Sequence, residues 1–295
     1  MNLYQKIFAL LVVPMLFITC KKSDHSLGTA IDKSQINYSV TQDFTVDPGG
    51  NTVIIKNTTP ATLSYWDYEI GTSNRTVDTV KFAFAGDHVV KLTVSTGGKL
   101  VKMDSVIVKV TANNLAYVTG ELWANLTGGA GNEKSWVLDT EGKVFNGPLY
   151  FYGTNNGWLL GGDKGCYGTD CWAWEAGTND VYSSPNRKMA QGDYGVMTFG
   201  LKNTLAFTAV KPMEGGITQN ATYFLNDKTH VLTINNASIL RGYKPDVNGL
   251  TGISNWTNYS ILSLTETKMQ LAVIRDKDVD GEGKCLLVYN FIVKP

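Results

Sequence analysis

Tryptophan is concentrated in one stretch of this 295-residue sequence, and indole rings are the side chains here with the clearest chemistry. Between Leu122 and Tyr182 lie five of the seven tryptophans, namely Trp123, Trp136, Trp158, Trp172 and Trp174. Glycines are so frequent in this stretch that its apolar residues follow neither a helical nor a strand periodicity. We therefore predict that much of it forms loops carried by a folded scaffold. The apolar flanks of Trp123 and Trp136 predict core positions. Aromatic rings exposed on loops are costly to hydrate, so we expect a binding partner to stack against Trp158, Trp172 and Trp174.

A saccharide is the partner we predict, because sugars present an apolar face of C–H groups flanked by hydroxyl groups. Trp172 and Trp174 are two residues apart, so in an extended chain they face the same side, with the polar Glu175 next in sequence. Trp158 follows two asparagines and a glycine, a comparable polar setting. The residues predicted to contact the sugar are Trp158, Trp172, Trp174, Tyr152 and Glu175. The alternative is that the three tryptophans also fill a core.

The cysteines indicate export to an oxidising compartment. Cys166 and Cys171 can bridge a tight loop just before Trp172, and the use of so short a loop would be to shape that turn. Cys285 stands in an apolar strand, which predicts a buried free thiol. A bridge from one of the pair to Cys285 is the alternative.

The first residues have the pattern of an export signal. Lys6 precedes the apolar run 7–18, which is too short to span about 30 Å of hydrocarbon but suits a signal-peptide core. The end of this run resembles the lipobox of bacterial lipoproteins, on Leu16-Phe17-Ile18-Thr19-Cys20. The resemblance implies a signal peptide over 1–20, a lipid on Cys20 that anchors the protein in a membrane, and a flexible tether over 21–35. Plain secretion with an incidental cysteine is the alternative.

Overall charge and composition exclude one large class of partner. Lysine and arginine total 26, as do aspartate and glutamate, so the formal net charge is zero. Nucleic-acid binding needs a basic face to replace phosphate counterions, so we predict no nucleic-acid partner. Hydrophobic residues make up 43 % of the chain, which is typical of a folded protein.

Residues 36–110 read as short strands separated by turns, the pattern of a small antiparallel sandwich. Two segments resemble the signatures of PKD domains, and they are Tyr65-Trp66-Asp67-Tyr68-Glu69-Ile70-Gly71 and Phe84-Ala85-Gly86-Asp87-His88-Val89-Val90-Lys91-Leu92-Thr93-Val94. His88 replaces the family's tyrosine, and the second Gly-Asp-Gly element is missing. The resemblance implies an immunoglobulin-like sandwich that serves as a spacer or interaction module, with Trp66 in its core.

Residues 115–295 form a second, larger all-β domain in our prediction. Alternating or apolar strand patterns recur at 197–201, 205–209, 222–225, 231–234, 259–264, 269–274 and 285–293. So many antiparallel strands must hide their edges by packing in two layers or by closing. We predict a jelly-roll-like sandwich, with a lipocalin-like barrel as the alternative.

Several short segments of this domain resemble a domain that recurs in Bacteroidetes surface lipoproteins, and they are Lys134-Ser135-Trp136-Val137-Leu138-Asp139, Trp172-Ala173-Trp174-Glu175-Ala176-Gly177, Tyr194-Gly195-Val196-Met197-Thr198-Phe199 and Tyr259-Ser260-Ile261-Leu262-Ser263-Leu264-Thr265-Glu266-Thr267. That domain often follows PKD modules in polysaccharide-utilisation clusters. The resemblance implies a lipid-anchored outer-membrane protein at the cell surface that binds a polysaccharide or oligosaccharide and partners a glycan importer without being an enzyme.

One aspartate-rich loop has the spacing of a calcium site. Asp276, Asp278 and Asp280 alternate and are followed by a glycine, but Leu287 stands where an EF-hand needs its glutamate. A solvated hairpin tip is the alternative. Apart from this possible calcium ion, we predict no cofactor.

An enzyme is the competing class of function. A glycoside hydrolase needs two carboxylates at a set separation, and the candidates are Glu121, Asp139, Asp170, Glu175 and Asp193. No spaced pair stands out among them, and none of the three histidines is in a metal-ligand pair. We therefore predict no catalytic residue. Glycoside hydrolysis and a structural or adhesive lipoprotein without a sugar ligand are the alternatives.

Overall fold

The computed structural model describes residues 28–160, 163–183, 188–242, 252–279 and 281–295. The predicted signal peptide, the lipidation site Cys20 and the first part of the tether lie outside the described residues. The chain divides into two compact units, of which one ends at Thr111 and the other begins at Ala112. In the part of the chain described, no helix is long and apolar enough to span a membrane.

The first unit is built from antiparallel strands in two sheets. The strands are β1 (Tyr38–Gln42), β2 (Thr52–Asn57), β3 (Leu63–Asp67), β4 (Thr72–Ser73), β5 (Val77–Lys81), β6 (Gly86–Thr96), β7 (Lys99–Lys102) and β8 (Val106–Val110). One sheet has the order β1-β2-β5, and the other has β4-β3-β6-β7, with β8 pairing to the first half of β6. The long strand β6 therefore pairs with β8 along its first half and with β3 and β7 along its second half.

Alternation along the strands creates the core of this unit. In β3, Ser64 and Trp66 face inward while Leu63 and Tyr65 are exposed. Trp66 is fully buried, and its indole Nε1 donates a hydrogen bond to the carbonyl of Arg75 at 3.1 Å. The predicted core position of Trp66 is confirmed.

Besides 3-10 helices at Leu115–Tyr117 and Pro212–Glu214, the second unit contains two short α-helices and twelve strands among its described residues. In chain order they are α1 (Glu121–Thr127), β9 (Glu133–Leu138), β10 (Leu149–Tyr152), β11 (Asn156–Leu160), β12 (Asp163–Cys166), β13 (Ala173–Trp174), α2 (Thr178–Tyr182), β14 (Val196–Leu201), β15 (Leu205–Lys211), β16 (Ile217–Asn226), β17 (Val231–Asn235), β18 (Asn258–Leu264), β19 (Lys268–Arg275) and β20 (Cys285–Val293).

Eight of these strands close into a barrel. Strands β14 to β20 each pair antiparallel with their neighbour in sequence, and β9 closes the sheet because it pairs with both β14 and β20. The all-β prediction is confirmed. Of the two architectures considered for this domain, the strand order is that of the barrel alternative and not of the jelly roll we preferred. From β14 to β20, strands that are consecutive in sequence are neighbours in the sheet, which is the order of a meander, whereas a jelly roll needs connections that cross between sheets.

Helix α1 packs against the barrel through the two tryptophans predicted to be core. Trp123 is buried with its ring centroid 6.0 Å from that of Tyr223, and Trp136 is fully buried on β9. The indole Nε1 of Trp136 donates to the carbonyl of Leu126 in α1 at 3.0 Å. Both core predictions are confirmed.

The part of the aromatic stretch that follows β9 forms an insertion between β9 and β14. Strands β10 and β13 extend the barrel sheet beyond the first half of β20, and β11 and β12 form a separate hairpin. Tyr150 and Tyr152 of β10 pack on Leu262, Ala272 and Leu286 of the barrel strands. The stretch predicted as loops therefore includes short strands, because sheet pairing with β20 orders β10 and β13 despite the nearby glycines.

Candidate functional site

Two indoles lie together at the edge of the extended sheet. Trp174 pairs with Phe151 across β10 and β13, and Trp172 immediately precedes β13. Trp172 is 48 % exposed and Trp174 is 37 % exposed, which is high for so large an apolar side chain. Both line a pocket of 260 Å³. The expectation that Trp172 and Trp174 face the same side agrees with this arrangement.

A buried ring supports the exposed pair from behind. Phe151 is almost fully buried and also lines the pocket. Its ring is stacked on that of Trp174, with centroids 5.1 Å apart and planes inclined by 24°. This contact covers one side of the Trp174 indole and fixes its orientation, which reduces the conformational entropy that a ligand would have to remove.

The turn that ends in Trp172 is held by several bonds. Cys166 and Cys171 form a disulfide, and Cys285 is buried as a free thiol. The Asp170 carboxylate accepts hydrogen bonds from the Thr154 amide at 2.7 Å and the Thr154 hydroxyl at 2.6 Å. These bonds, led by that from the hydroxyl, lower the pKa of Asp170.

Backbone contacts bring the same turn close to the end of β10. The Gly153 amide donates to the Trp172 carbonyl at 2.8 Å, and the Asn156 side-chain amide donates to that carbonyl at 3.0 Å. A Cβ atom on Gly153 would stand only 2.4 Å from the Asp170 carbonyl oxygen, so this close approach requires glycine.

Charged residues from the connection between β19 and β20 form the other wall of the pocket. Arg275 donates through Nη1 to Glu282 at 2.8 Å and through Nη2 to the Gly283 carbonyl at 2.6 Å. Lys188 donates to the second oxygen of Glu282, and Lys284 completes the lining. Burial raises the pKa of Glu282, but the hydrogen bonds from Lys188 and Arg275 outweigh it, so the net shift is downward.

Tyr152 is not available to a ligand, which corrects the prediction for this residue. Its side chain is only 2 % exposed, and its hydroxyl donates to Glu175 Oε1 at 3.0 Å. Burial raises the pKa of Tyr152 well above its ordinary value. Neighbouring residues in a strand point to opposite faces, so Tyr152 and its partner Glu175 lie on the other face from Phe151 and Trp174. Glu175 is exposed but does not line the pocket.

Trp158 does not line the pocket that holds the other two indoles. It lies on β11, is half-buried, and stacks on His230 with ring centroids 4.0 Å apart and planes inclined by 13°. His230 is in the turn between β16 and β17, at the opposite end of the barrel from the connection between β19 and β20. Trp158 therefore has its own aromatic partner and does not line the pocket that Trp172 and Trp174 share.

The predicted calcium loop is described only in part, because Asp280 lies outside the described residues. Asp276 accepts a hydrogen bond from the Ser254 amide at 2.9 Å, and its bonds with Ser254 lower its pKa. Asp278 is exposed. Among the residues that the structure covers, no three His, Cys, Asp or Glu side chains are grouped as metal ligands.

Two of the carboxylates considered for glycoside hydrolysis line a second pocket of 460 Å³. Asp139 is fully buried there, and its oxygens accept hydrogen bonds from the amides of Lys143, Val144 and Phe145 at 2.7–2.9 Å. Asp193 is exposed and accepts from the Gly195 amide at 2.8 Å. The bonds to Asp139 shape the loop after β9 and occupy the oxygens that an acid or nucleophile would use.

The residues that sequence reasoning missed are Phe151, Arg275, Glu282 and Lys284, which share the pocket with the two indoles. Phe151 reads as one more aromatic in the run after Pro148. The other three adjoin the aspartates that suggested calcium, and no local pattern connects them to Trp172. Comparison of the sequence with protein-family models and with curated proteins gives no match.

Proposed function

We propose that this protein is a cell-surface lipoprotein that binds a polysaccharide or oligosaccharide without cleaving it. The observation that carries the proposal is the pair of exposed indoles, Trp172 and Trp174, in one pocket backed by Phe151. A sugar ring offers C–H groups to a flat aromatic face and hydroxyl groups to polar neighbours. The hydroxyl partners here are Arg275, Glu282 and Lys284.

The size and rigidity of the pocket support recognition of a short part of a glycan. At 260 Å³ it lies just under the range of about 300–1,000 Å³ typical of pockets that enclose drug-sized ligands. It therefore suits one sugar unit of a chain whose remainder stays in solvent. The disulfide of Cys166 and Cys171 adjoins the indoles and limits the ordering that binding would require.

Binding is favoured over hydrolysis because the carboxylates near the indoles already have partners. Glu282 accepts from Lys188 and Arg275, and Asp170 accepts from Thr154. A glycosidase would need one protonated and one ionised carboxyl group about 5–10 Å apart across the bond to be cleaved. Glu282 and Asp170 both have lowered pKa values, which disfavours the protonated role.

The remaining parts of the proposal concern location. We place the protein at the outer membrane, anchored by lipid on Cys20, with the first unit acting as a PKD-like spacer and an outer-membrane glycan importer as partner. The sandwich of the first unit is compatible with an immunoglobulin-like module. Cys20→Ser is expected to move the protein from the membrane fraction to the soluble fraction, and its retention in the membrane fraction would refute lipid anchoring.

Removal of either exposed indole tests the binding site. Trp172→Ala and Trp174→Ala are each expected to weaken polysaccharide retention in affinity electrophoresis by tenfold or more, since aromatic anchors in interfaces often contribute about 2 kcal/mol or more. The midpoint of thermal unfolding should change little because both rings are exposed. The matched control is Trp158→Ala, which removes a tryptophan from the same stretch outside the pocket.

The outcomes separate the competing functions. Retention by the wild type that both substitutions abolish, with no sugar released, supports the proposal. Released oligosaccharide would identify a glycoside hydrolase instead. A large loss of stability with retention intact would assign Trp172 and Trp174 to the core.

A further inference from the structure

The wall of the pocket that faces the indoles carries more positive than negative charge. Glu282 is its one carboxylate among the described lining residues, and Arg275 and Lys284 are its cations. Lys188 adds a third cation from outside the lining, since it donates to Glu282. The carboxylate of Glu282 is thus shared between two cations, and the exposed Lys284 adds a further positive charge.

The Glu282 carboxylate that pairs with Arg275 is also paired with Lys188. The Arg275 side chain is 8 % exposed, and Nη1 and Nη2 donate to Glu282 and to the Gly283 carbonyl. Its Nε atom is buried without a hydrogen-bond partner. Arg275, Lys188 and Glu282 together carry one net positive charge, and the burial of Arg275 leaves little water to screen it.

The other carboxylates described on the adjoining segments, Asp170, Asp276 and Asp278, do not line the pocket. Asp170 takes its hydrogen bonds from Thr154, and Asp276 takes one from the Ser254 amide. Asp278 is exposed, so water and salt screen its charge. The pocket therefore combines two flat apolar rings with a cationic wall.

We propose that the saccharide recognised by this pocket is acidic, with a carboxylate-bearing sugar unit seated between the indoles and the wall formed by Arg275 and Lys284. This inference rests on the proposed carbohydrate-binding function and names its ligand class. The sugar ring stacks on Trp172 or Trp174, and its carboxylate is attracted by Lys284 and by the field of Arg275. Hydrogen bonds between a cation and a carboxylate are stronger than those between neutral groups, so the wall selects acidic over neutral units.

The test compares polymers that differ only in charge. Alginate, polygalacturonate and glucuronoxylan are immobilised beside their carboxyl-reduced forms, which keep the linkages but are neutral. The full chain is expected to be retained by at least one acidic polymer and more weakly by its reduced form. Retention should fall between 20 and 300 mM NaCl, because salt screens exposed charges.

One substitution with a matched control adds a signature that a purely structural role would not produce. Lys284→Gln is expected to weaken retention on the acidic polymer about two- to fivefold, the range of an exposed ion pair. Retention on the reduced form should be unchanged. Lys56→Gln, which removes an exposed lysine of the first unit, is the matched control and should have no effect.

The inference and the proposed function can fail separately. Retention that depends on Trp172 but is equal on acidic and reduced polymers, and insensitive to Lys284→Gln, overturns the acidic specificity and leaves carbohydrate binding intact. Failure of every polymer in the series and of a neutral set of starch, xylan and β-glucan overturns both. An acidic polymer whose retention survives Trp172→Ala together with Trp174→Ala also overturns the inference, because its charge then acts elsewhere.

Discussion

Lys211 shows how a buried charge is accommodated at the end of a barrel strand. Its side chain is 1 % exposed, and its ammonium group donates to the Ser238 hydroxyl at 2.6 Å. Glu214 lies 3.5 Å from the ammonium group and also pairs with Arg241 at 2.7 Å. Burial lowers the pKa of Lys211 to about 8, although the Glu214 carboxylate acts in the opposite direction.

This lowered pKa predicts a rise of stability with pH. An unfolded lysine has a pKa of about 10.4, so between roughly pH 8 and 10 the unfolded chain binds more protons than the folded chain. The free energy of unfolding must therefore increase with pH in that window. Lys211→Met is expected to remove about 1–2 kcal/mol of the increase between about pH 7 and 9.5, measured by urea denaturation.

An exposed lysine provides the control for this experiment. Lys56→Met should leave the pH profile of the wild type unchanged, since Lys56 is exposed on β2. Above about pH 10 the buried tyrosines become relevant, because burial raises the pKa of Tyr223 and Tyr259 and their stabilising contribution is lost as pH rises. An unchanged rise in Lys211→Met would show that other groups produce the dependence.

At the scale of elements, the insertion between β9 and β14 presents the site because short strands and a disulfide order a glycine-rich segment. Strand β13 has only two residues, and it pairs with β10, which in turn pairs with β20. The disulfide of Cys166 and Cys171 and the carboxylate of Asp170 then hold the turn before Trp172. Strand β20 of the barrel thus positions β10, and β10 positions β13 with its indole.

Loss of the disulfide should affect binding more than folding. Replacing Cys166 and Cys171 together by Ser is expected to lower the free energy of unfolding by at most about 2 kcal/mol, because the closed loop is short. We expect retention on the polysaccharide to weaken several-fold, since a looser turn must be ordered on binding. Thr169→Ala, a substitution inside the same loop, is the control. Unchanged retention of the double variant would show that hydrogen bonds alone hold the turn.

At the scale of the whole molecule, each unit has its own hydrophobic core. The core of the first unit surrounds Trp66, and the second unit has the barrel interior together with the cluster around Tyr152. Separate cores allow separate folding of the two units. The proposed sugar site draws all of its residues from the second unit.

Trp66→Ala tests this independence. The substitution is expected to destabilise the first unit by about 3–5 kcal/mol, because it removes a fully buried ring. Calorimetry should show one transition moved to lower temperature and the other unchanged, with polysaccharide retention intact below the first transition. Tyr65→Ala, at the exposed neighbouring position, is the control. If both transitions move together, the units fold cooperatively.

Local sequence patterns are enough to predict the all-β class, most strands of the barrel and several core residues. Period-two alternation is a local property, so the segments at 231–234, 259–264 and 269–274 are found inside β17, β18 and β19. Apolar flanks likewise placed Trp123 and Trp136 correctly. Exposure of Trp172 and Trp174 was one of two alternatives, and their two-residue spacing indicated only that they face the same side.

The closure of the barrel and the surroundings of the indoles depend on contacts between segments that are distant in sequence. Closure depends on β9 pairing with β20 across most of the second unit, and such long-range pairing leaves no local pattern. The burial of Tyr152 and the approach of the wall from Arg275 to Lys284 to the indoles follow from another long-range pairing, that of β10 with β20. These contacts join segments over 100 residues apart in sequence. Composition and spacing show which side chains are present, whereas the pairing of strands in the sheet determines which of them come into contact.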